Sequence, residues 1–99
     1  MAFDVNMHTK ALDDILNAFE YYNEQQKGLG KRFVREVDKG VLAISKNPFY
    51  QIRYDDIRCF PLSKFPFMIH FVLNEKENMI EIYAVIHTSL NPETNWLNR

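Results

Sequence analysis

Side chains that can transfer protons or neutralise phosphate are concentrated between residues 53 and 87 of this 99-residue sequence. Histidine and tyrosine can act as acids or bases, and arginine and lysine can stabilise negative charge that develops on phosphorus. The candidates are Arg53, Arg58, Lys64, His70, Tyr83 and His87. They could form one site if the fold brings them to a common surface.

Several of these residues also have a purely structural interpretation. A strand histidine such as His70 more often packs than catalyses, and Arg58 could pair with an acidic neighbour: Asp55, Asp56 or Glu81. The three histidines lack the close spacing of zinc ligands, so neither a metal site nor a cofactor is expected. Cys59 is predicted to be a small buried residue rather than a nucleophile.

Two runs of alternating apolar residues position the candidates. Residues 65–73 are apolar at every second position, and residues 80–86 repeat the pattern after a polar break at 74–78. This predicts a β-hairpin, with Phe71 opposite Ile82 or with the partners shifted by two. The odd positions of the first strand and the even positions of the second would face the core. The second face would carry Met68, His70, Tyr83, Val85 and His87.

The first half of the chain predicts a strand and two helices that cover one side of this hairpin. Residues 2–7 alternate as a strand, and Thr9 is a plausible N-cap for a helix that fades near Gln26 or Lys27. Gly28-Leu29-Gly30 breaks the chain, and a second amphipathic helix ends before Asn47-Pro48. The short break predicts an antiparallel helical hairpin.

The segment between the helices and the β-hairpin is predicted to form a connector and one strand. Residues 51–56 show no clear period, whereas residues 57–62 read as a strand in either of two phases. We choose the phase that directs Ile57 and Cys59 to the core, because an unpaired buried guanidinium at Arg58 would be costly. Residues 88–99, which include Trp96, are expected to form a short docked helix or a frayed end.

Composition predicts a single globular domain over residues 1–99. The net charge is −1, with 12 basic and 13 acidic residues, so there is no global attraction to nucleic acid. The single cysteine excludes an internal disulfide, and no signal peptide or membrane-spanning run is recognised. A cytoplasmic location is therefore expected.

The order of these elements resembles the RelE/ParE toxin superfamily of bacterial type II toxin–antitoxin systems, whose members are also known as plasmid stabilisation proteins and inhibit growth. The resemblance is carried by residues 11–15, 28–33, 52–58 and 64–66, and by Val85-Ile86-His87-Thr88-Ser89 with Asn91-Pro92 and Trp96. It covers nearly the whole chain and is strongest to short ParE-like members. It implies an α+β two-layer fold: an N-terminal strand, an antiparallel helical hairpin, and a three-stranded antiparallel sheet packed on the hairpin.

The resemblance implies one of two activities. RelE-like members are ribosome-dependent ribonucleases that cleave mRNA, and ParE-like members inhibit DNA gyrase. Arg58 and His87 match nuclease residues of the superfamily, whereas Met68 stands where nucleases have a cation and Phe71 where they have a tyrosine. The ParE-like activity is therefore preferred. The alternatives are a nuclease that uses His87 and Arg58, and a relic that binds an antitoxin without toxicity.

The resemblance also implies partners. A cognate antitoxin would fold on the toxin, and the target would be gyrase or the ribosome with its mRNA. A homodimer or a toxin–antitoxin hetero-oligomer is possible, and no membrane partner is expected. The residues expected to contribute to binding are Arg53, Lys64, Met68, His70, Tyr83 and Trp96.

Overall fold

The computed structural model describes residues 2–90, which form two helices and a five-stranded sheet. In chain order the elements are β1 (Asp4–Met7), α1 (Thr9–Gln25), α2 (Leu29–Lys46), β2 (Ile52–Tyr54), β3 (Ile57–Pro61), β4 (Phe67–Asn74) and β5 (Met79–His87). The strands are ordered β1-β5-β4-β3-β2, and only β1 runs parallel to its neighbour. The α+β fold class is confirmed, but the sheet has five strands rather than three, because β1 joins β5 and part of the predicted connector forms β2.

The helical hairpin depends on close approach of its two helices at a glycine. Gly28 adopts a left-handed φ of +88°, which glycine tolerates without strain, and α2 begins at the next residue. A Cβ atom at Gly30 would lie 2.6 Å from the carbonyl oxygen of Phe19, so only glycine fits there. The predicted helix boundaries are confirmed except at the start of α1, where His8 rather than Thr9 is the N-cap.

The hydrophobic core lies between the hairpin and one face of the sheet. Phe33, Val37 and Ile44 of α2 are buried in the same cluster as apolar side chains of β4 and β5: Ile69, Phe71, Ile80 and Ile82. The predicted core face of the β-hairpin is therefore confirmed for these four strand residues. None of the helices within residues 2–90 is long and apolar enough to cross a membrane.

A β-bulge divides the β4–β5 hairpin into two registers. Phe71 pairs with Ile82 as predicted, but His70 pairs with Ala84, which leaves Tyr83 as the extra residue on β5. Beyond the bulge, Ile69 pairs with Val85 and the predicted pairing is wrong. Because one inserted residue reverses the side-chain alternation, Val85 lies on the helix side and Ala84 on the opposite side.

The sheet face predicted for β3 is also wrong, although Ile57 and Cys59 are buried as predicted. Arg58 pairs with Phe71 and Phe60 pairs with Ile69, so both lie on the helix side of the sheet. Cys59 faces the other way, beside His70. Arg58 is half-buried there, and its Nη1 donates a hydrogen bond of 2.8 Å to the carbonyl oxygen of Tyr50. The cost of burying an unpaired guanidinium is therefore reduced, because Nη1 has a partner. The buried Nε of Arg58 has no hydrogen-bond partner within the described residues.

Candidate functional site

The sheet face turned away from the helices is called here the outer face. Strand pairing places on it the following residues: Cys59 of β3, Met68, His70 and Val72 of β4, and Glu81, Ala84 and Ile86 of β5. This face was predicted to carry Met68 and His70, and it does. Val85 and His87 were predicted there as well, but beyond the bulge their places are taken by the buried aliphatic residues Ala84 and Ile86.

His70 is the centre of a buried polar cluster on the outer face. The hydroxyl of Tyr54 lies 2.6 Å from Nδ1 of His70, and the Sγ atom of Cys59 lies 3.4 Å from the same nitrogen. A hydroxyl and a thiol can both donate, so this arrangement favours the tautomer in which Nδ1 accepts and Nε2 carries the proton. Only 4% of the surface of His70 is exposed, so the ring is held as part of the protein interior.

The cluster is neutral at physiological pH. Burial, with help from the positive charges of Lys10 and Arg53, lowers the pKa of His70 from 6.5 to about 4. Burial also raises the pKa of the Cys59 thiol, which therefore stays protonated. Cys59 is thus a buried thiol as predicted, and neither residue has the properties of an accessible nucleophile or of a general acid near neutral pH.

A second cluster occupies the β1–β5 edge of the outer face. One oxygen of Glu81 accepts hydrogen bonds from Asn6 Nδ2 at 2.8 Å and from His8 Nε2 at 2.7 Å. These two hydrogen bonds, that of Asn6 first, lower the pKa of the Glu81 carboxyl. The ring of Tyr83 packs on the ring of His8 with centroids 4.2 Å apart. Tyr83 therefore lies against His8. The predicted register, with Phe71 opposite Ile82 throughout, would have placed Tyr83 opposite His70, but His70 pairs with Ala84 instead.

A small cavity of about 160 Å³ lies at the other end of this face, and it brings several of the sequence candidates together. It is lined by Arg53, Tyr54, Cys59, Met68, His70, His87, Thr88 and Leu90. Arg53 is exposed and Met68 is half-buried at this site. Among the cavity's lining residues Arg53 is the only lysine or arginine, so the cavity has one strong cation with which to bind an anion.

His87 lies at the rim of the sheet between the two faces. It pairs with Phe67, and the two rings are in edge contact at 5.5 Å. The backbone N–H of Ser89 donates to its Nδ1 at 3.1 Å, and the Ser89 hydroxyl lies 2.8 Å from the same atom. His87 also lines a separate cavity of about 240 Å³ on the side of α1.

The two residues proposed for nuclease chemistry, Arg58 and His87, are not brought together. Their partners on β4 are Phe71 and Phe67, four residues apart, and β4 lies between the two strands that carry them. At the usual strand dimensions they are about 13 Å apart along the strands and about 10 Å across them. The two side chains line different cavities of the molecule.

The remaining sequence candidates lie elsewhere. Lys64 is in the β3–β4 turn with a left-handed φ of +73° and lines a groove beside α2. Trp96 lies outside the described residues. Within residues 2–90, no group of three or more His, Cys, Asp or Glu side chains is placed to hold a metal ion.

Sequence reasoning missed three residues that shape the site. Tyr54 belongs to a segment without a clear hydrophobic period, so no pattern in the sequence predicted its contact with His70. His8 was not considered, although a histidine just before a helix and after a strand is well placed to reach a neighbouring strand. Asp14 was not predicted to reach the sheet, yet its Oδ2 accepts a hydrogen bond of 3.0 Å from the backbone N–H of Val85, next to the bulge. An acidic residue on the buried side of an amphipathic helix was the available signal.

Comparison with known proteins gives matches by structure only. No protein-family model matches this sequence, and no curated protein matches it by sequence. A chain of the chromosomal ParDE toxin–antitoxin system from P. aeruginosa matches with a TM-score of 0.76 and 14% identity, over 87% of this chain and 96% of that one.

Chains of two RelBE complexes match with lower scores. A chain of the intact E. coli RelBE toxin–antitoxin complex has a TM-score of 0.65 and 12% identity, over 85% of this chain and 94% of that one. A chain of the RelBE2 complex from Mycobacterium tuberculosis has a TM-score of 0.61 and 13% identity, over 88% and 99%. These matches show that the fold of this chain is the RelE/ParE fold, which is the fold that the resemblance in the sequence implies.

Proposed function

We propose that this chain is the toxin of a bacterial type II toxin–antitoxin pair and that it arrests growth in the ParE-like manner, by binding DNA gyrase. The observation that carries the proposal is the structural similarity: a TM-score of 0.76 to a chain of a ParDE system, against 0.61 to 0.65 for chains of RelBE and RelE structures. All four matched structures are described as toxins or toxin–antitoxin systems, which supports the coarser assignment independently of the finer one.

The chemistry of the outer face also favours a contact inhibitor over a nuclease. Cleavage of RNA needs a base, an acid and a cation around one phosphate. On this face His70 is buried and neutral, Met68 offers no charge, and Arg58 lies on the helix side. What remains is a face with apolar side chains, two satisfied polar clusters and Arg53 at its margin. Such a surface is better suited to bind a protein than to transfer protons.

The proposal implies a partner and a location. An antitoxin that holds the toxin inactive would be encoded beside it, and the pair would act in the cytoplasm, where gyrase is found. The four matched structures include complexes named as toxin–antitoxin assemblies, which supports an antitoxin partner for this chain as well. If the gene is carried on a plasmid, growth arrest after loss of the pair would stabilise that plasmid.

The test is to induce the chain alone and to follow DNA and protein synthesis by pulse labelling over the first minutes. We expect DNA synthesis to fall first, and we expect the purified protein to inhibit supercoiling by purified gyrase. The variants Arg58→Ala and His87→Ala, compared at equal soluble levels, should arrest growth as the wild type does.

The other outcomes identify the alternatives. If protein synthesis falls first and either variant abolishes the arrest, the chain is a RelE-like nuclease that uses His87 and Arg58. If expression causes no arrest while the protein still binds the product of a neighbouring gene, it is an antitoxin-binding relic. Unchanged gyrase activity at large molar excess of the protein would contradict the ParE-like proposal.

A further inference from the structure

A groove beside α2, on the opposite side of the molecule from the outer-face clusters, is rich in positive charge. Its main cavity has a volume of about 590 Å³ and is lined by Tyr22, Leu29, Arg32, Arg35, Glu36, Lys39, Lys64, Phe65 and Pro66. A second cavity of about 300 Å³ shares three of these residues: Glu36, Lys39 and Lys64. The two cavities are therefore continuous, and together they are called here the basic groove.

Charged side chains on one side of α2 form one wall of the basic groove. Arg32 and Lys39 are each separated by three or four residues from both Arg35 and Glu36, so the four side chains form one stripe along the helix. From Arg32 to Lys39 this stripe extends over about 11 Å, at the usual rise of about 1.5 Å per residue. Lys64 contributes a cation from the facing β3–β4 turn. The groove is long enough for about two helical turns or four extended residues of a bound chain.

The floor of the basic groove is apolar. Tyr22 and Phe65 are in ring contact with centroids 4.9 Å apart, and Leu29 and Pro66 line the cavity with them. Both rings are half-buried and are held by the core residue Phe33, which touches each of them. A ligand that fills the groove must therefore offer apolar groups toward the floor as well as negative charges toward the rim.

The charge of the groove contrasts with that of the rest of the chain. Its two arginines, two lysines and one glutamate give it a formal charge of +3, whereas the whole chain carries −1, so the remainder carries −4. Glu36 is buried, and its only ion pair within residues 2–90 is a 3.4 Å contact with Lys39, which is mostly exposed. The groove thus has a net positive charge, whereas the rest of the chain has a net negative charge.

We propose that the basic groove is a docking site for an acidic, amphipathic segment of a partner protein. Acidic side chains of the segment would meet Arg32, Arg35 and Lys64, and its apolar side chains would pack on Tyr22 and Phe65. Arginine pairs with carboxylates through two parallel hydrogen bonds, which would fix the direction of the segment as well as its affinity.

The same features disfavour a nucleic acid strand in the groove. A polynucleotide carries a charge at every nucleotide, and beyond the groove it would meet a surface of net negative charge. The floor also offers two rings packed edge to face, and neither is a free platform on which successive bases could stack. An acidic peptide can confine its charge to the length of the groove.

If the proposed function is correct, the antitoxin is the natural source of such a segment, so the identity of the partner rests on the proposed function. The binding of an acidic amphipathic segment in the groove does not depend on that function. Binding of a peptide is measured on the purified protein and toxicity is measured in cells, so the two properties can be tested separately.

The experiment titrates isotope-labelled protein with a synthetic helical peptide of about 14 residues that carries glutamates on one face and leucines on the other. The control peptide replaces every glutamate by glutamine. We expect the acidic peptide to shift the amide resonances that surround the groove, and the glutamine peptide to bind at least tenfold more weakly. The affinity should fall as salt is raised, since the contacts are ionic and partly exposed.

Charge-changing variants test whether the charges of the groove determine the affinity for the acidic peptide. Lys64→Glu should weaken binding about tenfold, and Lys31→Glu, the same charge change on an exposed residue of α2 outside the groove, should weaken it far less. Glu36→Gln should strengthen binding, because it removes the one negative charge of the groove. Unchanged spectra away from the substituted residue would show that each variant is folded.

Three results would overturn the proposal. The first is equal binding of the acidic and glutamine peptides. The second is equal weakening by Lys64→Glu and Lys31→Glu. The third is tighter binding in the groove of a single-stranded oligouridylate of about 10 nucleotides, which would identify a nucleic acid site. A toxic chain that fails these tests refutes the groove alone, and a non-toxic chain that passes them refutes the proposed function alone.

Discussion

The buried histidine of the outer face makes the stability of this protein depend on pH. In the unfolded chain the pKa of His70 returns to about 6.5, whereas burial in the fold lowers it to about 4. Between these two values the unfolded chain binds a proton that the folded protein does not. Unfolding is therefore favoured as the pH falls through this window, and the loss is complete below about pH 4.

The size of the effect follows from the pKa difference. A change of one pKa unit corresponds to about 1.4 kcal/mol, so a fall from 6.5 to about 4 corresponds to about 3 kcal/mol of unfolding free energy. This is a large part of the 5–15 kcal/mol by which small domains are typically stable. The free energy should change by at most about 1.4 kcal/mol per pH unit, because a single proton is involved.

The assay is urea unfolding from about pH 7.5 to about pH 4, compared between the wild type and His70→Gln. Glutamine cannot be protonated and still offers an oxygen to Tyr54, so the difference between the two pH profiles isolates His70. The lowered pKa of Glu81 also reduces stability at acidic pH, but Glu81 is present in both proteins and its contribution cancels in the difference. Tyr54→Phe should raise the pKa of His70 and make the profile shallower, because the hydroxyl stabilises the neutral ring.

Two results would refute this reasoning. One is a pH profile of His70→Gln that runs parallel to that of the wild type between about pH 6.5 and about pH 4. The other is an NMR titration of the His70 ring in the folded protein with a midpoint near its ordinary pKa. Either result would mean that water or a relaxed structure solvates the protonated ring far better than its 4% exposure indicates.

The remaining predictions concern the packing of the helices. Asp14→Ala should lower the free energy of unfolding by about 1.5–3 kcal/mol, because the N–H of Val85 loses its carboxylate acceptor, and Asp14→Asn, which keeps an oxygen there, should cost less in the same urea assay. Gly30→Ala and Gly40→Ala should each cost about 1–3 kcal/mol. The loss should be larger at Gly30, where the new Cβ meets a backbone oxygen at 2.6 Å, than at Gly40, where it meets the mobile end of Ile69 at 2.8 Å. Equal losses in thermal unfolding would contradict this.

The helical hairpin and the extent of the long strands could be predicted because local signals determine them. Gly28 and Asn47 mark helix ends through backbone preferences that do not depend on the tertiary fold, and the period of two in residues 65–73 needs no knowledge of partners. The strand β2 could not be predicted. It has three residues, and its pairing with β3 shifts between Ile52 and Tyr54, so it leaves no periodic signal in the sequence.

The faces of β3 and β5 were mispredicted for two different physical reasons. Ala84, Val85 and Ile86 are all apolar, so either alternation buries an apolar set and the bulge leaves no trace in the pattern. In β3, both phases bury apolar residues, because Cys59 is covered on the outer face and Phe60 packs on the helix side beside Gly40. A cost assigned to burying Arg58 decided between them, and the carbonyl of Tyr50 offsets much of that cost.

The bulge determines which side chains of β5 lie on the outer face. In the unbulged register, Val85 and His87 would face outward in line with Tyr83, and the face would carry a histidine at its rim beside His70. With the bulge, Ala84 and Ile86 take those places and His87 turns toward Phe67. Asp14 accepts a hydrogen bond from the backbone N–H of Val85, so a carboxylate on α1 helps to hold the register in which Val85 lies on the helix side and His87 pairs with Phe67. A half-buried hydrogen bond thus stabilises the register in which the aliphatic side chains of Ala84 and Ile86 cover the outer face along β5, and the contact with a protein that we propose rests on this apolar surface.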